Sequence, residues 1–432
     1  MTGIAMTGIA PTGASGDPRA DGLLRMETAP LALPGGMRDL LPPRAHRRRH
    51  IARTVLAHFE SYGYEHVILP AFEREAVISR GLGGTAAGDL VRFLEPTSGE
   101  LVVLRPDMTP QIARLVATRY RDVRGALRFM YEGSVVRRPR GRARHEQQTA
   151  QAGIECIGWA DADADVEVIR AAAGAIAASG LTDFRIELGH AGIGRALLAG
   201  LPDDLAEHVR AAVDARDAAT IRRLLGGRRD TADALVRALD LHGTPEILAR
   251  AARSIGSVDL AAPIAVLSNV AERLDALGLG ARLLVDVSSI RGFGYYTGVT
   301  FQILGDGVGS PLASGGRYDE LLERFGTRRP ATGCGIDLEH LETALDQVGA
   351  MRDVHPQPRA LLSGPADARR HAAAGLRSRG VAVAEYAPAS VSDVVGFARD
   401  GAYDHAFVCI ESDWHRVDPV SGAVVLTDFA LE

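Results

Sequence analysis

Three short stretches carry side chains that could do chemistry. In Gln151-Ala152-Gly153-Ile154-Glu155 the polar residues and the glycine recur at every second position. On a strand, that spacing puts Gln151, Gly153 and Glu155 on one face, and a face destined for the core would be apolar. Such a polar floor suits a small polar ligand carrying an amine. Arg291-Gly292-Phe293-Gly294-Tyr295-Tyr296-Thr297-Gly298 combines glycines, which admit close backbone approach, with an arginine clamp and two tyrosine hydroxyls. Ala313-Ser314-Gly315-Gly316-Arg317-Tyr318-Asp319 is a further glycine-rich loop of the same character. Each alone reads as a turn beside a buried aromatic. Together they require a pocket.

Other constellations carry less. The run Arg137-Arg138-Pro139-Arg140-Gly141-Arg142-Ala143-Arg144 is a solvated loop tip or a contact for phosphate or nucleic acid. Asp161, Asp163 and Asp165 imitate the start of a calcium loop. That loop needs Gly at its sixth position and Glu at its twelfth, where Val166 and Ala172 stand. An acidic helix start that complements the dipole explains the triplet. The sequence contains no lysine, so all 49 basic residues are arginine. A P-loop, a pyridoxal Schiff base and a Ser–Lys dyad are thereby excluded. No zinc-ligand spacing and no Gly-x-Ser-x-Gly are present.

The elements that must position these residues are legible in outline. Residues 1–30 are rich in Gly, Ala, Thr and Pro and are expected to form a disordered leader. Pro43 suits a helix start, and Ile51, Val55, Leu56 and Phe59 recur at helical spacing. His66–Pro70 and Glu100–Leu104 read as strands, and Thr109-Pro110 as the N-cap and first residue of a helix reaching about Tyr120. Residues 127–136 and 148–158 predict a hairpin with the basic run at its tip. Helix is expected over 161–179 and strands at 184–189, 282–287 and 299–304. The Ala/Leu/Arg/Asp-rich stretch 195–279 between them predicts a helical insertion. After residue 355 the pattern becomes strand, helix, strand, helix, strand. The expected organisation is therefore a core over 31–355 and a small α/β domain over 356–432. The chain has 432 residues, a net charge of −5 and three widely spaced cysteines. It lacks a secretory signal pattern and any apolar run long enough to span a bilayer. A cytoplasmic protein is expected.

From Pro34 to Ala344 the sequence resembles the catalytic core of the histidyl-tRNA synthetases. Pro70 closes a stretch like class II motif 1, the dimer-forming segment. Tyr131–Glu155 resembles motif 2, and Ala331–Leu341 resembles motif 3. Arg291–Gly298 and Ser314–Asp319 resemble the two segments particular to the histidyl enzyme. The resemblance implies an α+β, class II synthetase-like fold: an antiparallel sheet flanked by helices. It also implies a histidine pocket. Asp107 and Thr109 would meet the α-ammonium, Gln151, Glu155 and Tyr295 the amino acid, and Tyr296 and Tyr318 the imidazole. Arg291 would face the carboxylate, and Arg137 is the first arginine of motif 2.

The nucleotide side departs from that family. Pro139 stands where motif 2 has Glu, and motif 3 ends in Glu339-His340 instead of Glu-Arg. Neutral histidine cannot replace a fixed charge and bidentate fork. Gly294 replaces an acid. Residues 358–432 contain seven Arg against ten acids, which makes a poor tRNA binder. A histidine pocket without nucleotide chemistry resembles a paralogous family, the regulatory subunits of ATP phosphoribosyltransferase. So does the stretch from Leu94 to Arg114. This second resemblance implies a non-catalytic chain without cofactor, dimeric within a larger hetero-oligomer. Its partners would be the short-form catalytic subunit and L-histidine as feedback effector. The alternatives are an active histidyl-tRNA synthetase with a divergent ATP site, or a module binding another small ligand or RNA through the basic loop.

Overall fold

The computed structural model describes residues 32–82, 90–138, 147–255, 260–290, 295–351, 357–387 and 389–427. The expected leader, the hairpin tip over 139–146 and Arg291 lie outside them. Its first strands are β1 (Glu65–His66), β2 (Phe72–Arg74), β3 (Arg92–Leu94), β4 (Leu101–Leu104), β5 (Leu127–Val136) and β6 (Gln148–Ile157). There follow β7 (Arg185–His190), β8 (His242–Gly243), β9 (Leu283–Asp286), β10 (Val299–Leu304), β11 (Ala313–Arg317) and β12 (Ala331–Asp337).

A nine-stranded sheet runs in the order β1-β5-β6-β12-β11-β10-β7-β9-β8. Its middle is antiparallel, as expected. The pairs β1–β5 and β7–β9 are parallel, so the sheet is mixed. Strand alternation gives its two faces different chemistry. Ala152, Ile154, Cys156, Cys334 and Ile336 point into the main hydrophobic core. Helices Arg44–Glu60 and Ala162–Ala178 cover that face and pack on each other. Ile51, Val55 and Phe59 of the first helix are buried, as their spacing demands. The intervening residues Gln151, Gly153, Glu155, Gly333 and Gly335 face the other side.

Several expectations are corrected. The glycine-rich stretch 313–317 is not a loop but a central strand. Its Gly315 lies so close to its neighbours that an added Cβ would stand 2.3 Å from the Gly333 carbonyl. The strand expected at His66–Pro70 shrinks to two residues, and Ile68 is 90% exposed. Thr109 is the first residue of its helix (Thr109–Arg119) rather than its cap. The helical stretch between β7 and β9 also contributes the short edge strand β8. A separate three-stranded sheet, β2-β4-β3, lies on the N-terminal side. Among the described residues, no helix is long and apolar enough to cross a membrane.

The C-terminal segment adds β13 (Arg359–Ser363), β14 (Ala382–Tyr386), β15 (His405–Ile410), β16 (Asp413–Val417) and β17 (Val424–Leu426), in the order β14-β13-β15-β16-β17. The last two strands, which the sequence pattern did not announce, extend the sheet antiparallel. Ala360, Leu362 and Phe407 pack on helix Ala366–Ser378, while Leu361, Ala406 and Val408 pack on Val391–Asp400. The sheet is thus buried on both faces, as parallel strands require.

Charge fixes the first helix to the helix that follows β12, Leu338–Gln347. Arg48 donates from Nε to Glu342 Oε2 at 3.1 Å, and from Nη1 to Glu339 at 3.3 Å. Arg44 donates to Glu342 at 2.9 Å, and Arg38 pairs with Glu339 at 3.0 Å. Arg48 and Glu342 are both buried. Removing one partner of a buried pair leaves the other charge uncompensated. Glu342→Ala should therefore cost about 3 kcal/mol in urea unfolding, the low end of that range because Glu339 remains.

Candidate functional site

On the glycine-bearing face of the sheet lies a cleft of about 580 Å³. Strand register builds its floor. Gly153 sits opposite Tyr131 on one side and Gly335 on the other, and Glu155 sits opposite Gly333. Side chains on those glycines would destroy it. A Cβ on Gly333 would stand 1.9 Å from Glu155 Oε2 and 2.6 Å from the Tyr318 hydroxyl. One on Gly335 would meet Gln151 Nε2 at 2.0 Å.

Glu155 is the least exposed carboxyl among the described residues, 1% exposed. Its Oε1 accepts from the Thr109 hydroxyl at 2.7 Å and from Tyr131 at 3.3 Å. Burial pushes its carboxyl well above the usual carboxylate range, and these two hydroxyls only partly oppose the rise. At the cleft wall, Asp107 Oδ1 accepts the Thr109 backbone N–H at 3.0 Å, and its Oδ2 accepts from Arg137 Nη2 at 3.2 Å. The Thr109 side chain is thereby free to face Glu155 instead of capping its helix.

Three tyrosines close the site. Ring centroids lie 4.9 Å apart for Tyr295 and Tyr296, 5.2 Å for Tyr295 and Tyr318, and 6.5 Å for Tyr296 and Tyr318. Burial, with the nearby carboxyls of Glu155 and Asp107, holds the Tyr295 and Tyr296 hydroxyls protonated. Gln151 Oε1, Glu155 Oε2 and the Tyr318 hydroxyl are buried and have no hydrogen-bond partner among the described residues.

The residues singled out by sequence thus converge. Asp107, Thr109, Arg137, Gln151, Tyr295, Tyr296 and Tyr318 line one cleft, and Glu155 lies behind that lining, bonded to the Thr109 and Tyr131 hydroxyls. Sequence reasoning missed Tyr131. Setting the two hairpin strands in register places it opposite Gly153, which is the signal that would have found it. Asp165 belongs only in part to an acidic helix start. It is 3% exposed and paired with Arg317, whose Nε donates to it at 2.9 Å.

At the far end of the cleft, His340 Nδ1 lies 2.8 Å from the Pro311 carbonyl. A carbonyl only accepts, so Nδ1 carries the hydrogen and Nε2 is left as an acceptor in the neutral ring. His340 supplies no fixed cation there. Its neighbour Glu339 is turned to Arg38 and Arg48.

The buried carboxyl has a consequence for stability. Above the ordinary glutamate value of 4.5, the unfolded chain has released the Glu155 proton while the folded chain retains it. The folded state then binds more protons, so this group makes stability fall as pH rises through that window. Glu155→Gln should remove the contribution. In urea melts between pH 5 and 7 the variant should gain on the unsubstituted chain as pH rises, and parallel curves would contradict the assignment.

A family model described as histidyl-tRNA synthetase matches residues 36–341. An ATP phosphoribosyltransferase regulatory subunit from Moorella thermoacetica is 36% identical over 368 residues, covering 82% of this chain and 92% of that protein. One from Anaeromyxobacter dehalogenans is 38% identical over 352 residues, 78% of this chain and 99% of that protein. A crystal structure described as an ATP phosphoribosyltransferase regulatory subunit/histidyl-tRNA synthetase from Bacillus halodurans superposes with a TM-score of 0.77 at 28% identity. It covers 89% of this chain and all of that one. With a class II synthetase-like fold and these relatives over most of its length, the chain belongs to the family of ATP phosphoribosyltransferase regulatory subunits, a branch of the histidyl-tRNA synthetase fold.

Proposed function

We propose that this chain is the non-catalytic partner of a short-form catalytic ATP phosphoribosyltransferase subunit, and that its cleft binds L-histidine as a feedback effector. The observation that carries the reading is the set of buried, unpartnered atoms on the cleft floor: Gln151 Oε1, Glu155 Oε2 and the Tyr318 hydroxyl. Buried polar groups are ordinarily paired. An imidazole offers one N–H donor and one nitrogen acceptor to such a set. On this reading Asp107 and Thr109 meet the ammonium, and Tyr295, Tyr296 and Tyr318 line the aromatic wall. Arg291 is the proposed carboxylate partner.

Histidine would bias the assembly toward a less active state. That requires different affinities in two states, with a coupling of about 1–3 kcal/mol. The proposed assembly is a dimer of this chain within a hetero-oligomer in the cytoplasm. His340 at the far end of the cleft lacks an arginine's permanent charge and bidentate fork, which argues against triphosphate clamping. The acidic C-terminal segment argues against tRNA as a partner.

Titration calorimetry with L-histidine, then with ATP, tests the reading. Histidine should bind and ATP should not. Asp107→Ala and Glu155→Ala should each weaken histidine by about 2 kcal/mol, roughly thirtyfold, with the fold retained. Unchanged affinity in both variants would remove the pocket assignment. Histidine-dependent ATP–pyrophosphate exchange would replace the regulatory reading with an active synthetase.

A further inference from the structure

We propose that Arg317 is a positioning residue whose guanidinium, held by Asp165 and Asp319, fixes Tyr296 and Tyr318 and so makes the cleft selective for an imidazole-bearing amino acid. The inference deepens the histidine reading above and rests on it.

Arg317 ends β11 and points away from the cleft, toward the start of helix Ala162–Ala178. It is 8% exposed, and every part of its fork is used. Nε donates to Asp165 Oδ2 at 2.9 Å. Nη2 lies 2.9 Å from the same oxygen and donates to the Asp161 carbonyl at 3.0 Å. Nη1 reaches Asp319 Oδ1 at 3.3 Å and the Trp159 carbonyl at 3.4 Å. A guanidinium so enclosed has one position.

Its consequences appear on the opposite face. Alternation along the strand sends the next residue, Tyr318, into the cleft, and its backbone N–H is pinned to the Ala331 carbonyl at 2.8 Å. Asp319 Oδ1 also accepts from the Ala331 N–H at 3.0 Å. The Asp319 N–H donates to the Thr297 hydroxyl at 2.9 Å, and the Thr297 N–H donates to the Arg317 carbonyl at 2.7 Å. Thr297 directly follows Tyr296. The two tyrosines come from different segments, joined by main-chain bonds of Arg317 and Asp319 to Thr297, and the guanidinium enters this link through its bond to the Asp319 carboxyl. Gly298 permits the link, because a Cβ there would stand 2.9 Å from the Arg317 side chain. An ion pair present for stability alone can often be replaced by apolar side chains without loss. This one also holds two rings in register with Glu155.

Arg317→Lys keeps the charge and loses the fork. Calorimetry with L-histidine and with β-(2-thienyl)alanine, a ring isostere lacking the imidazole nitrogens, reads selectivity. The ratio of the two affinities should fall at least tenfold in the variant. If both affinities drop together and the ratio stays, Arg317 is structural only and the proposal is overturned. Nitration by tetranitromethane, mapped by peptide mass, reads Tyr318 without any ligand. It should be protected in the unsubstituted chain, where it is 2% exposed, and modified in the variant. Equal protection in both overturns the proposal. An unsubstituted chain that binds neither amino acid sinks the histidine reading, and nitration still decides the positioning role. Should Arg317→Lys not fold, Asp165→Asn, which keeps an acceptor oxygen, carries the same two readouts.

Discussion

The site depends on a carboxyl group buried in the middle of a sheet. Taking a carboxylate out of water is expensive, and the expense is met only by partners or by protonation. Glu155 has two hydroxyl partners on one oxygen and none among the described residues on the other. Much of the surrounding sequence follows from accommodating it. Gly333 must lack a side chain because Oε2 occupies that space. Thr109 must begin its helix with the hydroxyl turned inward, which leaves Asp107 to satisfy the backbone N–H at the helix start. Tyr131 must alternate into the same face of β5.

The opposite face of the same strands obeys the ordinary rule. Its residues are aliphatic or small, and two helices cover them. One sheet thus separates an apolar core from a polar cleft by the two-residue period alone. The charges left on the helix side are paired: Arg317 with Asp165, and Arg48 with Glu342 and Glu339. Glu339 binds Arg48 of the helix Arg44–Glu60 and Arg38 ahead of it, and the next residue is a histidine hydrogen-bonded to a carbonyl. The acid of the third motif therefore holds helices together here.

The sequence was most readable where one local rule dominated. Ile51, Val55 and Phe59 declare a helix because burial on one side fixes their spacing. The Gln151–Glu155 alternation declares a polar face because nothing else explains it on a central strand. It was least readable where tertiary contacts override local preference. Ala313–Arg317 looks like a turn because glycine lacks strand propensity. It is a strand because its neighbours leave no room for side chains at Gly315 and Gly316. His66–Pro70 looks like a strand, yet after His66 the chain leaves the sheet and its Leu69 and Pro70 carbonyls are taken by the Arg105 guanidinium. The strands β16 and β17 are short, follow a turn over exposed residues and lack a strict alternation. Tyr131 and Arg317 escaped because their importance lies in cross-strand register and in contacts more than a hundred residues away, which a linear pattern does not contain.

A regulator places different demands on a pocket than an enzyme does. An enzyme needs interactions that strengthen in the transition state. A sensor needs ground-state selectivity and a difference in affinity between two states. On the proposed reading, the unpaired oxygen of Glu155 serves selectivity directly. A ligand able to satisfy it recovers what burial costs the empty site, whereas an apolar isostere leaves the penalty in place. The same feature ties ligand to conformation. Any movement that separates β6 from Thr109 or Tyr131 strips Glu155 of its remaining partners, so the arrangement that binds best is also the one the ligand most stabilises. Such a device needs no nucleotide-side cation, because occupancy of the amino-acid half alone is what it must report.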